Sequence, residues 1–315
     1  MGSSSSARVT PAKRGSSARR ILGRDWSAAW FFLLPTLVVL IFLIAYPFFS
    51  AILLTFQDKT VGGPARWVGL QNYVDLLTGA EMAGLFGLAV WNTIVYTGVA
   101  IAGKAVLGMA QALLLNESFP GRNLMRGVFF LPWAIPSLIV GLTWKWIYAG
   151  TQVGLLNILA FKLGLTEDLI QWLANPDITM ASVLVVVIWQ GTPFWSMMFL
   201  AGLQAISSEL YEAAAIDGAN VFQRFRHITL PSLENVIVIT CMLSTIWTAN
   251  SINYVYILTG GGPANATTTF PMLAYNVGIA GAQRLGMGAA IALLFFPAFL
   301  ILIYFLSKRM LASND

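Results

Sequence analysis

The strongest constraint in this chain is where it carries no charge. From Trp26 to Gln57 there is no Asp, Glu, Lys or Arg, and the same holds for Met82–Gly103, Ile178–Ser208, Asn235–Gln283 and Leu285–Ser307. An uncharged apolar run of about 18 residues or more is long enough to cross the hydrocarbon core of a bilayer. Soluble domains carry about 25% charged residues; this chain carries 10%, against 57% hydrophobic. A soluble enzyme, a nucleic-acid-binding module and a disordered chain are excluded. The expected fold class is an all-α integral membrane protein, because a helix satisfies its own backbone inside lipid.

Six spans are expected, at Ala28–Phe49, Leu88–Leu115, Gly127–Trp146, Ala181–Leu203, Val236–Leu258 and Leu285–Leu306. The third is unusual: it carries Pro132 and Pro136 and ends in Trp144-Lys145-Trp146, an aromatic pair suited to a membrane interface around a snorkelling lysine. Residues 1–25 are Ser- and Arg-rich without apolar periodicity and read as a disordered basic tail, leaving 26–315 as the membrane domain. No signal peptide is expected, since the first apolar run is too long for one.

Charge asymmetry sets the orientation. Arg8, Lys13, Arg14, Arg19, Arg20 and Arg24 fall in the tail, and Arg122, Arg126, Arg224, Arg226, Lys308 and Arg309 fall in segments on the same side. The opposite side holds only Lys59, Arg66, Lys162 and Arg284. Basic segments stay in the cytoplasm, so both termini are expected there. On the outer side, 150–180 is rich enough in Leu and Ile for short helices. Gly260-Gly261-Gly262-Pro263 should stop the fifth span, with the uncharged stretch after it buried at the outer face.

Residues that carry chemistry are sparse. Cys241 and His227 are each the only one of their kind, so no disulfide, metal cluster or Ser-His-Asp triad is expected. Gly98 to Lys104 fits most of a nucleotide-binding GxxxxGK loop, but Ala105 stands where Ser or Thr would hold magnesium, and the stretch lies in an apolar helix. Gly98/Ala102 and Gly108/Ala112 fit better as small-residue spacings for close helix packing. Lys104 itself is a charge inside a span, and two readings stand: a polar contact in a transport path, or a lysine that snorkels or pairs with a second subunit.

The segment between the fourth and fifth spans, 207–231, is the most informative. Ser207 or Ser208 can cap a helix with acidic residues in its first turn. Asp217-Gly218 interrupts it, and a second stretch follows with Val221, Phe222, Phe225 and Ile228 on one face, ended by Pro231. An ordered two-helix element is more than a connection between spans needs, and it reads as a docking surface for another protein.

The spacing Glu212-Ala213-Ala214, then Asp217-Gly218, then Ile228-x-Leu230-Pro231 resembles the EAA loop of the permease subunits of ABC importers. Asn92-Thr93, Leu131-Pro132 with Ile135-Pro136, and Trp189 with Pro193-Phe194 are similar to the same family, over roughly 88–308, and Tyr256-Ile257-Leu258-Thr259-Gly260-Gly261-Gly262-Pro263 with Thr267-Thr268-Thr269 resembles its carbohydrate branch. The resemblance implies the type I importer permease fold in a bacterial inner membrane. It also implies an assembly with a second permease subunit as a heterodimer, two cytoplasmic ATPase subunits and an external sugar-binding protein. ATP and Mg would be bound by the ATPase subunits, with no cofactor in this chain. Glu212, Ala213, Ala214, Asp217, Gly218, Phe222, Phe225, Ile228, Leu230 and Pro231 would form the coupling surface, Glu212 pairing with a basic ATPase residue and the two phenylalanines filling an apolar pocket.

For the substrate, expected to be a di- or oligosaccharide or a related polyol, polar and aromatic residues inside spans are the candidates, because sugars bind to aromatic faces with amide and hydroxyl hydrogen bonds. These are Trp189 and Gln190 in the fourth span, Trp247, Asn250, Ser251, Asn253 and Tyr254 in the fifth, and Lys104 in the second. Trp247 and Asn250 lie three apart and should share a face, with Asn253 continuing it. The rival reading, an ion-coupled secondary transporter, would want paired ionisable groups within the spans and internal repeats, neither of which is evident.

Overall fold

The computed structural model describes residues 26–298, 300, 301, 304, 305 and 308. The expected basic tail at 1–25, the C-terminal residues 309–315 and part of the sixth span lie outside the described residues. Two compact units divide the chain at Leu53.

The first unit is described by one helix, α1, running over 26–55 into the start of the second unit, with a π-helical stretch at Ile41–Ala45 and Pro35 inside it. Among the described residues of the second unit the regular structure is helical apart from a two-residue antiparallel pair, Gln57–Asp58 with Arg66–Trp67. A short helix, α2 (Gln71–Thr78), leads into α3 (Ala80–Asn116). At 37 residues α3 is about 55 Å long, well beyond the bilayer core, because Gly79 stops α2 and nothing breaks the chain between Ala80 and the expected span start.

The third expected span is not a straight helix. It is a pair, α4 (Arg122–Ala134) and α5 (Ser137–Ile147), bent by 90° at Ile135-Pro136. Ile135 takes an extended conformation (φ −77°, ψ 132°), as a residue before proline prefers. Pro132 and Pro136 also withhold two amide donors from the helical ladder there. The exposed carbonyl of Ile135 is satisfied from elsewhere, by Gln190 Nε2 at 3.0 Å. Among the described residues four helices are long and apolar enough to cross a membrane, five if the bent pair is one span.

The segment 150–180, where short helices were expected, contains α6 (Leu155–Lys162). The fourth span is α7 (Pro176–Leu203), started by Asn175, whose side chain accepts from the Asp177 amide. α3 and α7 pack along their length. Ala100, Gly108 and Ala112 are buried in that seam, and a Cβ on Gly108 would come within 2.5 Å of Trp195 Cβ. Small residues therefore do bring these helices together, as expected for Gly108 and Ala112. Gly98 and Ala102, predicted for the same role, are exposed.

After the loop helices α8 (Ser208–Ile216) and α9 (221–232), α10 (Glu234–Asn250) rises through the apolar region and breaks at Ser251-Ile252, and α11 (Asn253–Leu258) follows. The glycine run then stops the chain as expected. The stretch after it is buried: Thr267, Thr268 and Thr269 are at most 2% exposed. Thr267 Oγ1 donates to the Gly262 carbonyl at 2.9 Å, and Thr268 Oγ1 to the Gly261 carbonyl at 2.9 Å. This buried stretch is pinned to α3. Asn92 Nδ2 donates to the carbonyls of Asn265 and Thr268 at 3.0 and 3.1 Å, and the Phe270 amide donates to Thr93 Oγ1 at 2.9 Å. Helix α12 (Phe270–Ala280) and α13 (Leu285–Ala298) complete the described chain and pack on α2 and α3 through Leu76, Ala89, Leu273, Met287 and Ile291.

Candidate functional site

Two places on the second unit can do work: a polar cavity among the helices and the loop pair α8–α9.

The cavity, 170 Å³ in volume, is walled by α3, α4, α7, α10 and α11. Its sequence logic is helical periodicity. Ser244, Trp247, Thr248 and Ser251 stand at spacings of three, four and seven along α10, one stripe on one face. Gln190, Gly191 and Phe194 do the same on α7. One wall is aromatic: Trp133 and Phe194 stack at 6.5 Å with 19° between planes, and Phe194 meets Trp247 at 5.2 Å.

Facing them is Lys104, 5% exposed, its Nζ donating to Thr248 Oγ1 at 2.9 Å. The lysine neither snorkels nor reaches the outer surface of the chain. Its stem lies over Gly191, where a Cβ would come within 2.4 Å of Lys104 Cε. Among the described residues lining the cavity it carries the one charge. An ammonium at the centre of a membrane helix costs about 3 kcal/mol or more to place. Tyr254, 7% exposed, brings a hydroxyl that has no hydrogen-bond partner within the described chain.

The predicted substrate-path residues divide. Lys104, Gln190, Trp247, Ser251 and Tyr254 line the cavity. Trp189 turns away, its ring meeting Trp144 at 5.6 Å, and it lines a separate apolar groove with Leu107 and Pro132. Asn250 is exposed and donates to its own helix at the Ile246 carbonyl, 2.8 Å away. Asn253 does not continue the face of Trp247, because the helix breaks at Ser251 (ψ 126°); its amide ties α11 to α5 through Ser137 Oγ at 3.2 Å. Tyr96, Trp133, Val187, Gly191, Phe194, Ser244 and Thr248 complete the lining and were not predicted for it; the recurrence of Ser244, Trp247, Thr248 and Ser251 at helical spacing was the available signal.

The loop pair is built by two complementary caps. Ser207 starts α8 by accepting from the Glu209 amide at 3.3 Å. At its end Gly218 sits at φ +80°; its amide donates to the Ala215 carbonyl at 3.1 Å and the Ala219 amide to the Ala214 carbonyl at 2.9 Å. These are the two bonds of a Schellman cap, which needs the left-handed conformation that glycine takes without strain. Two residues later Asn220 and Gln223 form a reciprocal capping box, with bonds of 2.8 and 2.9 Å. The hydroxyls of Tyr211 and Thr229 meet at 2.9 Å and brace the two helices.

Pro231 does not end α9. The helix widens into a π-helical turn over Phe225–Thr229 and continues to Ser232. The wider turn, closed by the Leu230 amide on the Phe225 carbonyl, leads the chain into the proline without a conventional turn before it. Nor do the four apolar residues share one face. Val221, Phe222 and Phe225 line one groove, and Ile228 lines another beside Asp217 and Gly218. Ile216, Val221 and Phe222 are 88%, 74% and 68% exposed, an apolar tip of the kind that marks an interaction surface. Glu212, Ala213 and Asp217 are exposed beside it, while Ala214, Phe225, Ile228 and Leu230 are partly covered.

A helical membrane domain with a polar cavity among its helices and a capped helix pair between its fourth and fifth expected spans has the build of a transport subunit. The chain belongs to the family described as binding-protein-dependent transport system inner membrane component, whose model matches residues 104–314. It is 35% identical over 274 residues, 87% of this chain and 90% of the relative, to the trehalose/maltose transport system permease protein MalF of Thermococcus litoralis. It is 34% identical to the sulfoquinovosyl glycerol transport system permease protein SmoG of Agrobacterium fabrum, covering 84% of each chain. Among solved structures, a bacterial ABC transporter involved in the import of the acidic polysaccharide alginate has a chain that matches with a TM-score of 0.80 at 22% identity, over 94% of this chain and 99% of that one. The fold is therefore that of a type I ABC importer permease.

Proposed function

We propose that this chain is one membrane-spanning half of an ATP-driven saccharide importer. It pairs with a second permease subunit, takes its substrate from an external binding protein, and receives its drive from two ATPase subunits that dock on α8–α9 and hold the ATP and Mg. Both termini lie in the cytoplasm, on the side of that loop. The observation that carries the reading is the loop pair itself. Its helices are capped at the joint and braced at Tyr211–Thr229, yet they present Ile216, Val221 and Phe222 uncovered. Apolar side chains of this size in a rigid frame suit insertion into a partner's groove. The relatives named for trehalose/maltose and sulfoquinovosyl glycerol transport support a sugar-bearing cargo, as do the aromatic wall and hydroxyl lining of the cavity.

In this mechanism ATP binding moves the loop pair, and the helices exchange between inward- and outward-open arrangements around the cavity. Such an exchange needs ligands that favour one arrangement over the other, and ATP and the docked binding protein supply that difference. Coexpression with the neighbouring subunits tests it. The ATPase should copurify with this chain, and loaded binding protein should stimulate ATP hydrolysis in proteoliposomes. A chain that carries saccharide across the membrane with no ATPase present would be an ion-coupled transporter instead.

A further inference from the structure

We infer that the cavity is built to receive the anionic group of an acidic saccharide, one bearing a carboxylate or a phosphate, and that Lys104 is the residue that binds it. This rests on the saccharide-importer reading and names its substrate class. The argument starts from charge balance. Lys104 is buried among α3, α7 and α10, and no carboxylate is among the described residues lining the cavity. An ammonium has three donors, and the hydrogen bond found for this one is to the neutral Thr248 Oγ1. If the residue served only to link α3 to α10, a neutral amide or hydroxyl would make the same bond without burying charge.

The surroundings keep the lysine where a ligand would meet it. The side chain at 191 is absent, which lets the lysine stem lie against α7. Tyr254 offers a second donor, buried and unpartnered, at the same cavity. Trp133 and Trp247 supply ring faces for the sugar. A neutral sugar would leave the ammonium uncompensated in the loaded state as in the empty one. An acidic sugar brings the missing charge with it, and a charge-assisted hydrogen bond is about twice as strong as a neutral one.

The test uses the full chain in lipid nanodiscs, titrated by saturation-transfer NMR with glucuronate, glucose 6-phosphate and glucose. The wild type should bind the two anionic sugars roughly tenfold more tightly than glucose, a difference of about 1.4 kcal/mol. Lys104→Gln should bring that ratio to about one. Thr248→Val, which removes the protein acceptor but keeps the charge, should preserve it. Equal affinities in the wild type, or a ratio that survives Lys104→Gln, would overturn the inference while leaving the saccharide reading in place. A Thr248→Val loss as large as that of Lys104→Gln would mark the lysine as a helix link only. Binding of none of the three sugars would overturn the saccharide reading and this inference with it.

Discussion

Lys104 and Gly191 constrain each other. The lysine occupies the space where a side chain on α7 would be, with Cε, Cδ and Nζ all within 3.1 Å of the position a Cβ would take. Gly191→Ala should therefore destabilise the chain by about 1–3 kcal/mol through overpacking and displace Nζ from Thr248. In a Lys104→Ala background the same substitution should be close to neutral, since the methyl then fills vacated space. Thermal unfolding of the four chains of that double-mutant cycle measures the coupling; additive effects would show that the two residues do not press on one another. At this scale the sequence was half legible. A lysine in an apolar helix announces itself, and so does the stripe Ser244, Trp247, Thr248, Ser251. The glycine that accommodates the lysine is 87 positions away and indistinguishable from the other 27 glycines until α3 and α7 are packed.

The joint between α8 and α9 is where element-scale expectations are sharpest. Gly218→Val puts a β-branched side chain at φ +80°, at a cost of roughly 1–2 kcal/mol, and should open the Schellman cap and re-aim α9. Membrane insertion should persist, with ATPase copurification falling severalfold. Asn220→Ala removes the capping box for about 1 kcal/mol and should give a milder loss, reversed by Asn220→Ser. Wild-type copurification in Gly218→Val would show that the joint does not set the docking geometry. The glycine, the two helices and the serine cap could be read from the chain. The passage through Pro231 could not, because a π-turn is a response to the helix that must follow. The bend at Ile135-Pro136 is similar: two prolines signal an irregularity, but its 90° angle is held from outside by Gln190.

For the whole molecule, the twelve-to-four distribution of basic residues predicts where the ends lie. In a chain with Cys241 replaced, single cysteines at Ser3 and Asn314 should resist membrane-impermeant maleimide applied from outside and react when the membrane is opened. Labelling of either from outside would reverse the topology. Fold class was legible because charge-free runs leave lipid as the only solvent; the number of crossings was less so, because the third span bends. The tie between the buried threonine stretch and α3 was hidden altogether, since it joins Asn92 and Thr93 to partners 173 to 177 positions later. That separation is also an interval of time. At roughly 5–20 residues per second of synthesis, the carbonyls and the amide that complete Asn92 and Thr93 emerge about 10–35 s after them. For that interval the Asn92 amide waits in a half-made membrane protein without the acceptors it will finally use. A chain truncated before residue 265 never leaves that state.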